Sequence, residues 1–306
     1  MATARVPFEQ LTPVHPNRRI TLEMGSTPIA NRVMDLFVPL GFGQRALVVA
    51  PPKAGKTTIL RDVAKAVLRN YPEASLFLCL VDERPEEVTE WRMEVRGPGV
   101  RVYASSFDQQ SARHGRIVEQ ALADAKRQVE QGKDVVIGLD SLTRLARAHN
   151  VNTEMWERPR NARGGYGSRT LSGGIDARAL EIGRRAFGAA RALEEGGSLT
   201  IVASCLVETG SRLDEVVYEE FKGTGNLEIR LSRDLADRRI FPAIDLSVSS
   251  TRQEERLLSP AELRAMSILR RKLADIPRRE GVEQLLRLFE KTSSNALLVE
   301  AVLKQE

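Results

Sequence analysis

Cysteine is scarce in this sequence, and no disulfide framework can be read from it. Its 306 residues hold two cysteines, Cys79 and Cys205. Each is set in an apolar run, so both read as small buried hydrophobes, a usage that suits a reducing cytoplasm. No stretch of about 18 apolar residues occurs, which excludes a membrane-spanning helix. The opening MATARVPFEQ lacks the apolar core of a secretion signal. Internal repeats and low-complexity tracts are absent too, which removes the repeat architectures. The length is enough to bury a sizeable core, as one large domain or two.

What is present is alternation. Apolar, β-branched runs near 45–50, 75–81, 100–104, 135–140, 198–205 and 226–232 read as strands. Helical patterns fill 56–69, 86–95, 111–131 and 177–191 between them. Together they predict an α/β fold with a mainly parallel sheet covered by helices on both faces. After Ser259-Pro260 the pattern is purely helical (260–274, 281–291, 295–305), a small C-terminal helical cap. Residues 1–30 are Pro-rich and polar and read as a lead-in with little core of its own. The expected division is a lead-in at 1–30, an α/β domain at 31–259 and a helical subdomain at 260–306.

The stretch Arg45 to Thr58, RALVVAPPKAGKTT, runs from strand through a Pro/Gly loop into a helix. That is the order of a P-loop, where backbone N–H groups and a helix N-terminus cradle phosphates. Lys56 would reach the β- and γ-phosphates of a nucleoside triphosphate, and the Thr57 hydroxyl would ligate Mg²⁺. Ala50 stands where the usual motif has its first Gly. An ordinary Gly/Pro turn is the plainer reading, but the helical pattern Ile59, Leu60, Val63, Ala64, Val67, Leu68 after the loop argues against it. A second buried run, 135–140, ends in Asp140. Alone, such a carboxylate is usually a helix N-cap; beside a P-loop it can orient Mg²⁺. A third run, 76–81, delivers Glu83 and Arg84 to the same sheet edge, and Glu83 is the candidate to orient or deprotonate water. Pro85, Glu86 and Glu87 suit a helix start instead.

Charge is concentrated. From Arg144 to Arg191 ten arginines face four acids, +6 in a chain of net +5. Within that span lies a Gly-rich basic loop, 163–174. It reads either as a solvated surface loop or as one that tracks a phosphate backbone. Phe221-Lys222-Gly223-Thr224-Gly225-Asn226 reads as a second Gly-flanked cationic loop, or as a plain turn.

At this point the sequence resembles the bacterial Rho transcription termination factors, ring-shaped RNA-dependent ATPases with a RecA-like P-loop core. GFGQRALVVAPPKAGKTT at 41–58, VDERPEEVTE at 81–90 and LDSLTRLARA at 139–148 carry the likeness, with SGGIDARAL at 172–180, the run 194–226 and RRIFPAIDLSVSSTRQEE at 238–255. The form APPKAGKT, with Ala50, is shared by that family. The resemblance implies that Gly41, Phe42, Gly43, Gln44, Arg45 and Ala46, with Lys53, Ala54, Gly55, Lys56, Thr57 and Thr58, line the nucleotide. It implies Glu83 as the catalytic carboxylate and Asp140 as the Mg²⁺-side acid. Arg84 would gate the pocket and Phe241 would pack on the adenine. Arg252 and Arg239 would reach the site of a neighbouring subunit. For RNA it implies one pore loop at Arg169, Thr170, Leu171, Ser172, Gly173 and Gly174, and a second at Lys222, Gly223, Thr224 and Gly225.

The implied partners are single-stranded RNA, five further copies in a hexamer, and RNA polymerase, in a bacterial cytoplasm and without a membrane. Two departures stand out. Family members usually carry an upstream helical and OB-fold domain that loads RNA, and FEQLTPVHP, the motor-core lead-in, is reached already at Phe8. The segment Asn150 to Ser168 is longer and richer in Arg than in shorter members. The expectation is therefore an ATP-driven RNA translocase core. The competing one is a non-motor RNA-binding or regulatory P-loop protein; a rotary-ATPase-type subunit would not account for the basic loops.

Overall fold

The computed structural model describes residues 6–156, 170–171 and 175–305. Its strands are β1 (Pro13–Val14), β2 (Arg19–Ile20), β3 (Leu40–Gly41), β4 (Arg45–Ala50), β5 (Ser75–Glu83), β6 (Val100–Ser106), β7 (Asp134–Asp140), β8 (Thr170–Leu171), β9 (Ile175–Asp176), β10 (Arg191–Leu193), β11 (Ser198–Leu206), β12 (Leu227–Arg230) and β13 (Ser250–Thr251). Its helices are α1 (Ile29–Phe37), α2 (Lys56–Asn70), α3 (Pro85–Glu94), α4 (Ser111–Val129), α5 (Leu142–Trp156), α6 (Glu181–Gly188), α7 (Arg212–Thr224), α8 (Arg233–Asp237), α9 (Pro260–Ala274), α10 (Arg278–Glu290) and α11 (Asn295–Leu303).

The main sheet runs β13-β12-β4-β11-β7-β5-β6, with β12 through β6 all parallel and β13 antiparallel at one edge. Alternation within the buried runs explains its two covered faces. On β4, Ala46, Val48 and Ala50 join one apolar cluster while Leu47 and Val49 join the other. On β5, Leu76, Leu78 and Leu80 divide from Phe77, Cys79 and Val81 in the same way. The first face is covered by α1, α2 and the C-terminal helices, the second by α4, α6 and α7. Cys79 and Cys205 are buried, and burial pushes both thiols up to about 12.

The six expected strands are all present. Four helices, α1, α5, α7 and α8, stand where the sequence pattern names none. The helix expected over 177–191 is shorter: a 3₁₀ turn at Ala177–Leu180 leads into α6, and Arg191 already begins β10. The lead-in is tied down by the main core. Phe8, Ile20 and Leu22 are buried, and β1 pairs antiparallel with β10. Among the described residues no helix is long and apolar enough to cross a membrane.

Candidate functional site

Parallel strands send all their C-termini to one edge, and loops leaving that edge build the site. β4, β7 and β11 are neighbours there, and β5 lies beside β7. Beyond Ala50 the chain turns through Lys53 (φ 67°) and Gly55 (φ 96°) into α2. The left-handed backbone at Gly55 is one that glycine adopts without a side-chain clash. The first helical bond runs from Ile59 N–H to the Gly55 carbonyl. The N–H groups of Lys56, Thr57 and Thr58 therefore have no partner within the helix, the arrangement that receives an anion. Lys56 is mostly buried, Thr57 half-buried, and Lys53 and Thr58 exposed.

Lys56 Nζ is ion-paired with Asp140 and lies 3.9 Å from Glu83 Oε1. Asp140 also accepts from Ser204 Oγ on β11 at 2.8 Å. The N-cap duty that would have explained Asp140 away falls to its neighbour: Ser141 Oγ accepts from the Arg144 N–H at 3.2 Å. Burial, then the Asp140 charge, pushes the Glu83 carboxyl up to about 8. Both Glu83 oxygens and Asp140 Oδ2 are buried without a hydrogen-bond partner. Unsatisfied carboxylate oxygens beside a phosphate-binding helix end are the donor set a hard divalent cation and its waters take, so Asp140 and Thr57 fit Mg²⁺.

Residues that motif reading passed over complete this cluster. Arg144 Nε lies 3.6 Å from Glu83 Oε1, and its NH1 reaches the carbonyl and carboxylate of Asp82. Asp82 (φ 56°) sits at an irregularity in the β5–β6 register. Its other side faces His114, whose Nδ1 is 2.8 Å from Ser105 Oγ. Arg144 lies in the first turn of α5, four residues after Asp140 at the end of β7, a closeness along the chain that could have flagged it. His114 and Ser105 come together only through the fold. Arg84, by contrast, is 66% exposed and only 3.9 Å from Glu87, while Pro85, Glu86 and Glu87 form the first turn of α3.

Three groups of expected site residues are placed differently. Gly41, Phe42, Gly43, Gln44, Arg45 and Ala46 run from the end of β3 into the start of β4, so five strand steps, roughly 16 Å, separate Arg45 from the phosphate loop. They cannot line the phosphates. Gly43 (φ 91°) instead passes so close to the Ala192 backbone that a Cβ would lie 2.1 Å from its nitrogen. Lys222, Gly223 and Thr224 are no loop but the last turn of α7, held helical by buried Val217, Tyr218 and Phe221; Gly225 follows as the cap. The Lys222 ammonium lies over the Tyr218 ring at 5.3 Å. Arg169, Ser172, Gly173 and Gly174 lie outside the described residues, as does 157–168; Thr170 and Leu171 form β8, paired with β9.

Arg239 and Arg252 part company. The C-terminal end of β12 sits beside β4, with Leu231 N–H donating to Val49 O. Arg239 and half-exposed Phe241 follow α8 from there, on the phosphate-loop edge. β13 then returns antiparallel, so Arg252 ends beside Asn226 at the opposite edge. There Lys222, Asn226 and Arg252 line one cavity of about 150 Å³.

Comparison with known proteins gives the family and the fold. The model of the ATP synthase alpha/beta family, nucleotide-binding domain, matches residues 30–251. Transcription termination factor Rho of Rhodopirellula baltica is 49% identical over 300 residues, covering 98% of this chain and 56% of that protein. The factor of the same name from Streptomyces coelicolor is 52% identical, over 98% of this chain and 69% of that one. The chain thus spans little more than half the length of the first relative. Among solved structures, the assembled ATPase EscN of the enteropathogenic E. coli type III secretion system matches with a TM-score of 0.75 at 20% identity, over 98% of this chain and 74% of that one. That likeness is one of fold.

Proposed function

The chain belongs to the family of transcription termination factor Rho, with an ATP synthase alpha/beta-type nucleotide-binding domain at 30–251, and from that premise we propose that it is the ATP-hydrolysing, RNA-stimulated motor core of a ring translocase acting in transcription termination. The observation that carries the reading is the convergence of Lys56, Asp140 and Glu83 at the N-terminus of α2. The proposed partners are single-stranded RNA, further copies of the chain in a hexamer, and RNA polymerase, in the cytoplasm of a bacterium.

In this reading the triphosphate settles on the first-turn N–H groups of α2, with Lys53 and Lys56 as its cations. A bound phosphate competes with Asp140 for the Lys56 ammonium. Asp140 and Thr57 would hold Mg²⁺, which when bound neutralises phosphate charge. Glu83 orients the attacking water and takes its proton; burial gives it the proton affinity this needs near neutral pH. Arg84 gates the pocket from its exposed position, and Phe241 on the same edge offers its half-exposed ring to the adenine. Arg252, distant from its own phosphate loop, serves the site of a neighbour, with Arg239 assisting at the pocket edge. RNA is gripped by the 169–174 loop and by Lys222 at the end of α7.

The test is ATP hydrolysis against added single-stranded RNA at several salt concentrations, for the parent, Lys222→Ala and Arg169→Ala. Stimulation that falls with salt and with either substitution is expected. Stimulation surviving both would put the RNA elsewhere. None by any RNA, with ATP still bound, would reject the motor.

A further inference from the structure

Lys222 and Arg252 belong to different elements, yet both hang from one pair of residues. The Arg45 N–H donates to Asn226 Oδ1 at 2.8 Å, and the Asn226 N–H donates back to the Arg45 carbonyl at 3.0 Å. The Asn226 carbonyl then accepts from the Arg252 N–H at 2.9 Å. From the other side, Arg45 Nε donates to the Thr224 carbonyl at 2.8 Å, closing the C-terminus of α7 two residues after Lys222. Its NH1 donates to the Ala190 carbonyl at 3.0 Å.

A helix end normally leaves its last carbonyls to water. Here one accepts from a charged guanidinium whose planar frame is also bonded to the Ala190 carbonyl, so a single rigid group ties the helix end to a second element. The Arg45 guanidinium keeps this post although burial, and the charges of Arg191 and Arg252, work against it. We infer that Arg45 and Asn226 are positioning residues that hold Lys222 and Arg252 in a fixed relation. Displacement of the Lys222-bearing helix end then moves the guanidinium that Arg252 presents to the next subunit. The inference rests on the proposed function, in which Lys222 meets RNA and Arg252 acts in trans.

A purely structural role for the pair would lower stability and leave turnover per folded ring unchanged. The experiment is therefore a cycle of kcat and KM for ATP on the assembled full chain, comparing parent, Asn226→Ala, Arg252→Ala and the double variant. Asn226→Ala should lose kcat about 10- to 100-fold, the scale at which a misplacement of about 1 Å acts. Its KM should stay within about twofold, and the double variant should be no slower than Arg252→Ala alone. Losses that multiply would overturn the tie, and so would an Arg252→Ala variant as active as the parent. In a second arm, Asn226→Ala should bind a single-stranded RNA oligonucleotide as the parent does while the ratio of stimulated to basal rate falls towards one. Parental stimulation in that variant would also overturn the tie. If RNA fails to stimulate the parent, the proposed function falls, and the basal cycle still decides the tie. Should Asn226→Ala not fold, Arg45→Lys keeps the charge but loses the fork, and the same pattern is expected of it.

Discussion

Lys56 faces two carboxylates that it cannot neutralise together, Asp140 in contact and Glu83 at 3.9 Å. Removing it takes the ion-pair partner from buried Asp140 and leaves Glu83 with Arg144 alone, and in the proposed reading it also takes a cation from the phosphates. Lys56→Ala should therefore abolish ATP binding or turnover, measured by nucleotide titration and phosphate release; a variant that hydrolyses like the parent would move the site. Glu83→Gln keeps the shape and removes the proton acceptor. Turnover should drop by about 10²–10⁴-fold while ATP affinity holds, and the opposite split would give Glu83 a binding role. At this scale the sequence was legible in bringing Asp140 and Glu83 together, each at the end of a buried run on neighbouring strands. It was illegible where function depends on which end of a strand a residue occupies. Gly41 through Ala46 are close to the phosphate loop along the chain, but the extended strand carries them to the far edge.

Between residue and molecule stand the elements, whose ends and docking contacts are open to measurement. Helix α9 opens with a complete capping box, Ser259 and Glu262 bonding each other's backbone N–H groups, and Glu262 also pairs with Arg19 at 2.7 Å. Ser259→Ala should cost about 1 kcal/mol, read as a lower denaturant midpoint at unchanged slope. The lead-in docks through Asp35 on α1, which accepts from the Leu22 and Glu23 N–H groups at 2.8 and 2.6 Å. Burial outweighs these bonds and the nearby Arg19, and pushes Asp35 up to about 6. Unfolded, it titrates near 4. As pH rises from about 4 through 6 the folded chain holds a proton that the unfolded chain has released, so stability from this group is lost over that window. The difference in melting temperature between parent and Asp35→Asn should fall from pH 4 to pH 7. A constant difference would show that Asp35 titrates normally. Helix α7 explains a misreading at this scale. Gly223 and Gly225 mark a loop by composition, but Gly223 stands on the exposed side of a helix whose buried stripe outweighs the roughly 1 kcal/mol glycine costs there.

For the whole molecule, the telling feature is that the sheet holds its cations at both edges. Lys53, Lys56 and Arg239 lie with the phosphate loop, while Arg45, Lys222 and Arg252 lie at the other end of the same strands. A single chain cannot fold Arg252 back onto its own nucleotide, because β12 and β13 fix it beside Asn226. If Arg252 stabilises transferring phosphate at all, it does so for another copy, and a site is then made of two chains. Subunits lacking Lys56 still offer a competent Arg252, and subunits lacking Arg252 still offer a competent phosphate loop. Mixing Lys56→Ala with Arg252→Ala chains should therefore return ATPase activity above that of either alone, rising as the ratio approaches equal parts, because only mixed assemblies contain an interface with both intact. An arginine in trans contributes about 10³–10⁵ in rate where it has been measured, so even a minority of repaired interfaces stands above the background. Activity that merely sums the two parts would show that Arg252 acts within its own chain or not at all.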